Sequence, residues 1–86
     1  MSDAKAPQIQ VVARAPFHVY YEGPAYSLSA SNKVGPFDIL PGHADFFSML
    51  TKCTVTIDTD DEVVSFEAYN GMLTVKSDSV MLFVNM

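Results

Sequence analysis

The sequence has very little cysteine: a single residue, Cys53, in a chain of 86. One cysteine cannot form an intramolecular disulfide, so a disulfide-stabilised scaffold is excluded and a reducing compartment is favoured. Long apolar runs are missing too, since no stretch approaches the roughly 18 residues of a membrane-spanning helix. The N-terminal residues MSDAKAPQIQ lack the charged and apolar regions of a signal peptide. The sequence therefore predicts neither direct membrane insertion nor secretion.

Basic residues are also scarce, with five Lys and Arg against ten Asp and Glu, and the net charge is −5. A negative protein repels phosphate backbones and anionic membrane surfaces. The basic residues are scattered along the chain, at Lys5, Arg14, Lys33, Lys52 and Lys76. We therefore expect no nucleic-acid partner and no polybasic membrane-binding segment.

Catalytic signatures are absent from the sequence: there is no GxSxG elbow, no glycine-rich phosphate loop and no dinucleotide fingerprint. Cys53 could act as a nucleophile with His43 as its base. However, Cys53 alternates with Val55 and Ile57 in a strand-like run, which favours a core position over a reactive thiolate. An enzyme would need a site assembled from Cys53, His18 and His43, and we expect the protein to be non-catalytic.

The acidic run at residues 58–62 raises the question of a calcium site. An EF-hand loop requires glycine at its sixth position and glutamate at its twelfth, and these positions are Val63 and Tyr69. Two histidines and one cysteine supply too few ligands for a structural zinc site. We expect no metal and no other cofactor, and we interpret the run as a solvated hairpin loop whose like charges discourage edge-to-edge association.

The dominant pattern is a series of short β-rich runs separated by turn residues at intervals of roughly ten, which is typical of a sandwich or barrel. The chain is short enough to form only one domain. We expect residues 1–7 to be a flexible lead and residues 8–86 to form a single all-β domain with about eight to ten short strands. The predicted strands cover residues 8–13, 17–22, 25–31, 52–58, 62–69, 72–76 and 79–84.

Turn residues divide these runs. Gly23-Pro24 is predicted to break the chain, residues 59–61 to form one hairpin loop and Asn70-Gly71 to form a second hairpin. Asp78 is predicted to turn the chain into the last strand. Residues 44–50 are the only candidate helical turn, with Asp45 as its N-cap.

Two prolines, two glycines and a histidine occur together in VGPFDILPGHAD, residues 34–45. A catalytic loop, a metal site and a structural turn would each fit such a segment. Pro41 holds Leu40 extended, and Gly42 can adopt positive φ. We interpret the segment as turn chemistry between strands.

Residues 34–50, VGPFDILPGHADFFSML, resemble part of a known family when they are taken with the later run GMLTVK. They are similar to the N-terminal β-sandwich domain of the ATP synthase epsilon subunit. The resemblance covers about residues 8–84 and is most specific over residues 39–44. It implies a flattened β-sandwich of two antiparallel sheets.

The resemblance also implies a non-catalytic role in coupling and assembly. The family's domain packs against the gamma subunit of the central rotor and touches the polar loops of the c-ring. His43 and Ser48 fall on the edge that faces gamma in the family. Pro36 stands at the position of the family's acidic c-ring contact, and Asp38 lies two residues further on. These four residues are the predicted partner contacts.

Members of the family usually continue into a regulatory helical hairpin, which this sequence lacks after Met86. A divergent or stand-alone copy is therefore expected, located in the cytoplasm and held peripherally at the plasma membrane by its partner complex. The alternative is a reused sandwich, the N-terminal part of a longer chain, that recognises an unrelated protein or ligand. Fold by itself does not decide between the two.

Overall fold

The computed structural model describes residues 7–86, and this part of the chain contains nine strands and no helix. The predicted all-β fold is confirmed. None of the described residues belongs to a helix that could cross a membrane. Apart from Pro7, the predicted N-terminal lead lies outside the described residues. In chain order the strands are β1 (Ile9–Ala15), β2 (His18–Ala25), β3 (Ser27–Asn32), β4 (Gly35–Ile39), β5 (Phe46–Leu50), β6 (Cys53–Asp58), β7 (Val63–Ala68), β8 (Gly71–Lys76) and β9 (Ser79–Val84).

The strands form two sheets that pack face to face. The five-stranded sheet has the order β2-β1-β9-β8-β5, and the four-stranded sheet has the order β4-β3-β6-β7. All neighbours are antiparallel except β1 and β9, which run parallel. The principal extents of 42 × 26 × 18 Å give the flattened shape that the resemblance implies.

The core lies between the sheets and is built by strand alternation. In β6, Val55 and Ile57 are fully buried, whereas Thr54 and Asp58 are exposed. Cys53 packs against the same core, as predicted. Burying a Val, Leu or Ile side chain contributes about 1.5–3 kcal/mol, so this alternation supplies the main drive for folding. The largest fully buried side chains are Ile9, Leu28, Ile39, Ile57, Leu73 and Leu82.

The predicted helical turn at residues 44–50 is wrong, because Phe46–Leu50 forms strand β5. This strand pairs with β8 along its whole length. Asp45, predicted to cap a helix, instead accepts a hydrogen bond from the backbone N–H of Ser77 at 3.2 Å. Pairing with a strand distant in sequence overrides the weak local preference for a helical turn.

Two prolines that were interpreted as turn or break residues lie inside strands. Pro24 belongs to β2, so the predicted break at Gly23-Pro24 is wrong, and Pro36 belongs to β4, which the sequence did not predict. Both are edge strands of their sheets. An edge strand tolerates proline because the missing N–H can face away from the ladder.

The predicted second hairpin at Asn70-Gly71 is also wrong. The chain crosses here from β7 in the four-stranded sheet to β8 in the five-stranded sheet. Gly71 does not adopt positive φ. A Cβ atom at Gly71 would lie 2.9 Å from both the Phe83 carbonyl oxygen and Val84 Cγ1. Glycine is required at this position for close packing against β9.

Candidate functional site

The segment that links β4 to β5 begins with a tight turn. The His43 N–H donates to the Leu40 carbonyl at 3.1 Å, and Gly42 has a φ of 82°. Proline at the second position and a positive φ at the third are the signature of a type II β-turn. The interpretation as turn chemistry is confirmed for Leu40-Pro41-Gly42, whereas Gly35 and Pro36 of the same segment lie in strand β4.

The same segment is tied to the hairpin between β8 and β9. Ser77 and Asp78 form its two-residue turn, with φ values of 50° and 65°, so the turn predicted at Asp78 is confirmed. The Gly42 N–H donates to Asp78 Oδ1 at 2.8 Å, and the Gln10 N–H donates to the Asp78 carbonyl at 2.8 Å. Asp78 therefore fixes where the chain enters β5.

His43 lies in the segment between β4 and β5 and is partly exposed. Its Nδ1 atom is 2.7 Å from the Ala44 carbonyl oxygen. Its ring meets Phe46 edge to face, with the ring centroids 5.4 Å apart, and Phe46 meets Phe37 of β4 in the same way at 5.4 Å. His43 thus belongs to an aromatic cluster with Phe46 and Phe37, both of which pack against the core.

Ser48 is 7% exposed and lies on the inner side of β5. The Asn32 Nδ2 atom donates to Ser48 Oγ at 3.0 Å. Asn32 Oδ1 in turn accepts from the N–H groups of Val34 at 2.9 Å and Gly35 at 3.3 Å. Ser48 therefore links β5 to the β3–β4 turn, and its hydroxyl is not presented to solvent.

Pro36 and Asp38 lie on a different surface, the outer face of β4, and both are exposed. The Ser29 hydroxyl donates to Asp38 Oδ1 at 2.6 Å. The four predicted contact residues consequently do not converge on one site. His43 lies in the segment between β4 and β5, Ser48 faces inward, and Pro36 and Asp38 face outward from the four-stranded sheet.

An apolar face on the outside of the five-stranded sheet was missed by the sequence analysis. Phe47 and Met49 of β5 are 59% and 58% exposed. The strand registers place Met49 beside Met72, and Met72 beside Phe83. Exposed apolar clusters mark interaction sites. The sequence signal was the presence of apolar residues on both faces of the runs FFSML, GMLTVK and SVMLFV. We call the set Phe47, Met49, Met72, Met81 and Phe83 the apolar face.

Two grooves flank β5. The larger, about 510 Å³, is lined by residues 32–34 and 47–51. The smaller, about 390 Å³, is lined by residues 45–47 and 74–76. Lys33 contributes a cation to the larger groove. The smaller groove contains both Lys76 and Asp45, so opposite charges lie there beside apolar side chains.

The acidic loop between β6 and β7 is a hairpin loop, as predicted. It is closed by Thr59, whose N–H donates to the Glu62 carbonyl at 3.0 Å and whose Oγ1 accepts from the Glu62 N–H at 3.1 Å. The Tyr26 hydroxyl donates to the Asp60 carboxylate. This hydrogen bond is the largest influence raising the pKa of Tyr26.

Titratable groups are not assembled into a reaction centre within residues 7–86. No hydrogen bond in this part of the chain joins Cys53, His18 and His43 to one another. His18 instead packs edge to face with Tyr20, at 4.5 Å between ring centroids. Groups of three or more His, Cys, Asp or Glu side chains that could hold a metal ion are not found among these residues.

The fold and sequence are similar to known proteins. The ATP synthase delta/epsilon chain β-sandwich domain model matches residues 8–86, whereas no curated protein sequence matches the chain. A chain from the Euglena gracilis mitochondrial ATP synthase, in a structure of its OSCP, F1 and c-ring, superposes with a TM-score of 0.82 at 15% identity. A chain from the central stalk and c-ring of the Tetrahymena thermophila mitochondrial ATP synthase gives 0.78 at 14% identity.

Each of these superpositions covers 96% of the present chain, which spans 54% of the Euglena chain and 67% of the Tetrahymena chain. At such low identity the structural likeness establishes the fold alone. The sequence-level match covers nearly all of the chain and agrees with the sandwich observed. The chain therefore belongs to the ATP synthase delta/epsilon chain β-sandwich domain family.

Proposed function

We propose that the protein is a non-catalytic module of the central stalk of an ATP synthase, where it binds the gamma subunit and contacts the c-ring. The family match over residues 8–86 carries this proposal. The two similar folds come from assemblies that contain the c-ring. Its location is peripheral, at the membrane that holds the complex.

The proposed gamma contact lies along β5. His43 and Phe46 form its aromatic start, and Phe47 and Met49 provide its exposed apolar side chains. Ser48 serves this contact indirectly, since its hydrogen bond to Asn32 holds the strand in place.

The proposed c-ring contact lies at the β3–β4 turn. Val34 is 96% exposed there, Lys33 beside it is exposed, and Pro36 begins the adjoining strand. Proline cannot supply the ionic contact of the family's acidic residue. The Asp38 carboxylate, already bonded to Ser29, is the acid nearest in sequence. A neutral or cationic contact through Val34 and Lys33 therefore replaces the acidic one.

Co-purification with the gamma subunit and the c-ring of the same organism tests the proposal. We expect Met49→Glu to weaken gamma binding at least tenfold, about 1.4 kcal/mol, and Val34→Glu to weaken c-ring binding. Val63→Glu is the matched control, because Val63 is 61% exposed on β7 and lies outside both proposed contacts. If the folded protein binds neither subunit, the proposal is wrong and a partner outside the synthase is indicated.

A further inference from the structure

Strand order and register bring four separate links of the chain together at one end of the sandwich. β1 and β9 run parallel and end side by side. The end of β9 lies beside the start of β8 and the end of β5, because Gly71 pairs with both Val84 and Leu50. Just after β5, the Thr51 N–H donates to the Ser31 carbonyl at 3.2 Å, so β3 also ends here. We call this end, formed by the β1–β2 hairpin, the β3–β4 turn, the β5–β6 link and the β7–β8 crossing, the basic end.

Two turns at the basic end each present an apolar side chain to solvent. Phe17 of the β1–β2 hairpin is fully exposed, and Val34 of the β3–β4 turn is 96% exposed. They are the two most exposed large apolar side chains within residues 7–86. Tyr69 of the β7–β8 crossing is also exposed, and the Lys52 ammonium lies 5.6 Å from the centre of its ring. One exposed apolar side chain is ordinary, but both extremes of exposure occur at the same end.

The charge of the basic end is positive. Arg14 is the next-to-last residue of β1, Lys33 lies in the β3–β4 turn and Lys52 lies in the β5–β6 link, and all three are exposed. Glu67, the next-to-last residue of β7, is the carboxylate closest to this end in the strand registers. A carboxylate at Met86, which lies here too, would lower the charge of the end by one. Cations therefore outnumber carboxylates around the two apolar tips.

The opposite end is acidic. It contains the β6–β7 loop, the β8–β9 turn and the start of β5, with Lys76 as one cation and six of the ten Asp and Glu residues. These six are Asp45, Asp58, Asp60, Asp61, Glu62 and Asp78. The six residues of β8 separate the two ends, which is about 20 Å at about 3.3 Å per residue. The Debye length at physiological salt is about 8 Å, so the acidic end does not cancel the attraction of the basic end for an anionic surface.

We propose that the basic end docks on an anionic lipid surface. Phe17 and Val34 enter the headgroup layer, and Arg14, Lys33 and Lys52 lie against the lipid phosphates. Clustered cations are attracted to anionic lipids at short range, and tyrosines such as Tyr69 favour the membrane–water interface. No single segment of the chain is polybasic, since the three cations come from separate links that only the fold brings together.

The lipid contact goes beyond the proposed function and does not rest on it. The proposed c-ring contact at the β3–β4 turn belongs to the same end, which would bring that end close to a membrane. A second copy could also place its acidic end here. Such a contact is head-to-tail and does not close on itself, so its assemblies would grow with protein concentration.

Sedimentation of the isolated protein with lipid vesicles tests the inference. We expect vesicles of equal phosphatidylcholine and phosphatidylserine to bind it at least tenfold more tightly than vesicles of phosphatidylcholine alone, and added salt to weaken that binding. Equal affinity for the two kinds of vesicle, or no binding to either, would overturn the inference. Assemblies that grow with protein concentration in the absence of vesicles would identify a second copy as the occupant and also overturn it.

Matched variants at the two ends locate the contact. We expect Phe17→Ser to weaken binding to the anionic vesicles at least fivefold, whereas Val63→Ser, which changes an exposed side chain at the start of β7 beside the acidic loop, should change it less than twofold. The double variant Arg14→Gln with Lys33→Gln should lose at least tenfold, and Lys76→Gln, at the acidic end, should lose less than threefold. Equal losses at the two ends would overturn the inference.

Phe17 also separates this inference from the proposed function, because it lies outside both proposed protein contacts. We expect Phe17→Ser to co-purify with gamma and the c-ring as the wild type does while its vesicle binding falls. A Phe17→Ser protein that binds anionic vesicles as tightly as the wild type would overturn the lipid contact and leave the proposed function standing. A wild-type protein that binds these vesicles but neither subunit would overturn the proposed function and support the lipid contact.

Discussion

At the scale of single residues, Asn32, the last residue of β3, makes three hydrogen bonds with its side chain. Its side-chain oxygen accepts two backbone N–H groups of the β3–β4 turn, and its nitrogen donates to Ser48 on β5. This side chain therefore joins the two sheets at the point where both proposed partner contacts are found. Ser48, which stays a predicted contact, is the residue that accepts this hydrogen bond.

The link can be measured by substituting each partner. We expect Asn32→Ala to lower the free energy of unfolding by about 2–3 kcal/mol and Ser48→Ala by about 1 kcal/mol, because a net hydrogen bond contributes about 0.5–1.5 kcal/mol. Urea unfolding of both variants and the double variant gives the coupling between them. Additive losses would contradict a direct interaction. Ser48→Ala should also leave gamma affinity within about twofold, unlike Met49→Glu.

Tyr26 is expected to make the stability of the protein depend on pH. The hydrogen bond to Asp60, together with partial burial and nearby carboxylates, raises the pKa of Tyr26 above its ordinary value of 10.0. The folded state then keeps this proton after the unfolded chain has lost it. The stabilisation is complete below pH 10 and is lost as the pH rises through the folded-state pKa. We expect stability to fall more steeply above pH 10 in the wild type than in Tyr26→Phe, as followed by urea unfolding. Equal slopes would show that the hydrogen bond does not persist in solution.

At the scale of elements, the crossing between β7 and β8 shows how local turn chemistry can mislead. Asn-Gly is a strong hairpin signal, yet it serves here to move the chain from one sheet to the other. Asn70 is held by the C-terminal segment, since its carbonyl accepts from the Asn85 N–H at 3.1 Å and its Oδ1 accepts from the Met86 N–H at 3.2 Å. The glycine is needed because β9 passes too close for a side chain.

Gly71→Ala is therefore expected to lower the free energy of unfolding by about 1–3 kcal/mol, the usual cost of overpacking. Gly42→Asn is the control. Gly42 has positive φ, but nothing lies within 4 Å of the position of an added Cβ atom, and asparagine tolerates this backbone region. We expect Gly42→Asn to lower the free energy of unfolding by less than about 1 kcal/mol. Urea unfolding of both variants measures the two losses. A Gly71→Ala protein as stable as the wild type would show that β8 and β9 can separate without cost.

At the scale of the whole molecule, charge is unevenly distributed. The acidic residues 58 and 60–62 surround the β6–β7 loop, whereas Lys33 lines one groove beside β5 and Lys76 lines the other together with Asp45. The Tyr26 N–H, which donates to the Asp58 carbonyl at 2.7 Å, ties the acidic loop to the start of β3. An excess of one charge destabilises a compact state through self-repulsion.

Salt should consequently stabilise this protein. Raising the ionic strength from about 0.01 M to 0.15 M shortens the Debye length from about 30 Å to 8 Å, which screens repulsion in the acidic loop. We expect a gain of about 1 kcal/mol, a rise in Tm of about 4–8 °C for a domain of this size, measured by calorimetry. The double variant Asp61→Asn with Glu62→Gln should show a smaller rise. A fall in Tm with added salt would mean that attractive ion pairs dominate.

Much of the fold follows from the sequence alone. Period-two alternation located the core residues of β6 and β7, and the order of proline and glycine in LPGH predicted a turn in which Gly42 can adopt positive φ. These features are local: strand alternation and turn geometry depend on neighbouring residues and on backbone sterics. The family resemblance, carried by residues 34–50 and the run GMLTVK, is confirmed by the family match over residues 8–86.

Only the tertiary structure decided how distant segments meet. It made residues 46–50 a strand, because β8 provides a partner for the whole segment. It turned an apparent hairpin at Asn70-Gly71 into a crossing, because β9 packs against the glycine. It gathered apolar side chains on one face, since strand order and register bring together residues far apart in the chain. Surfaces of this kind, which determine the partner, exist only after the strands have paired.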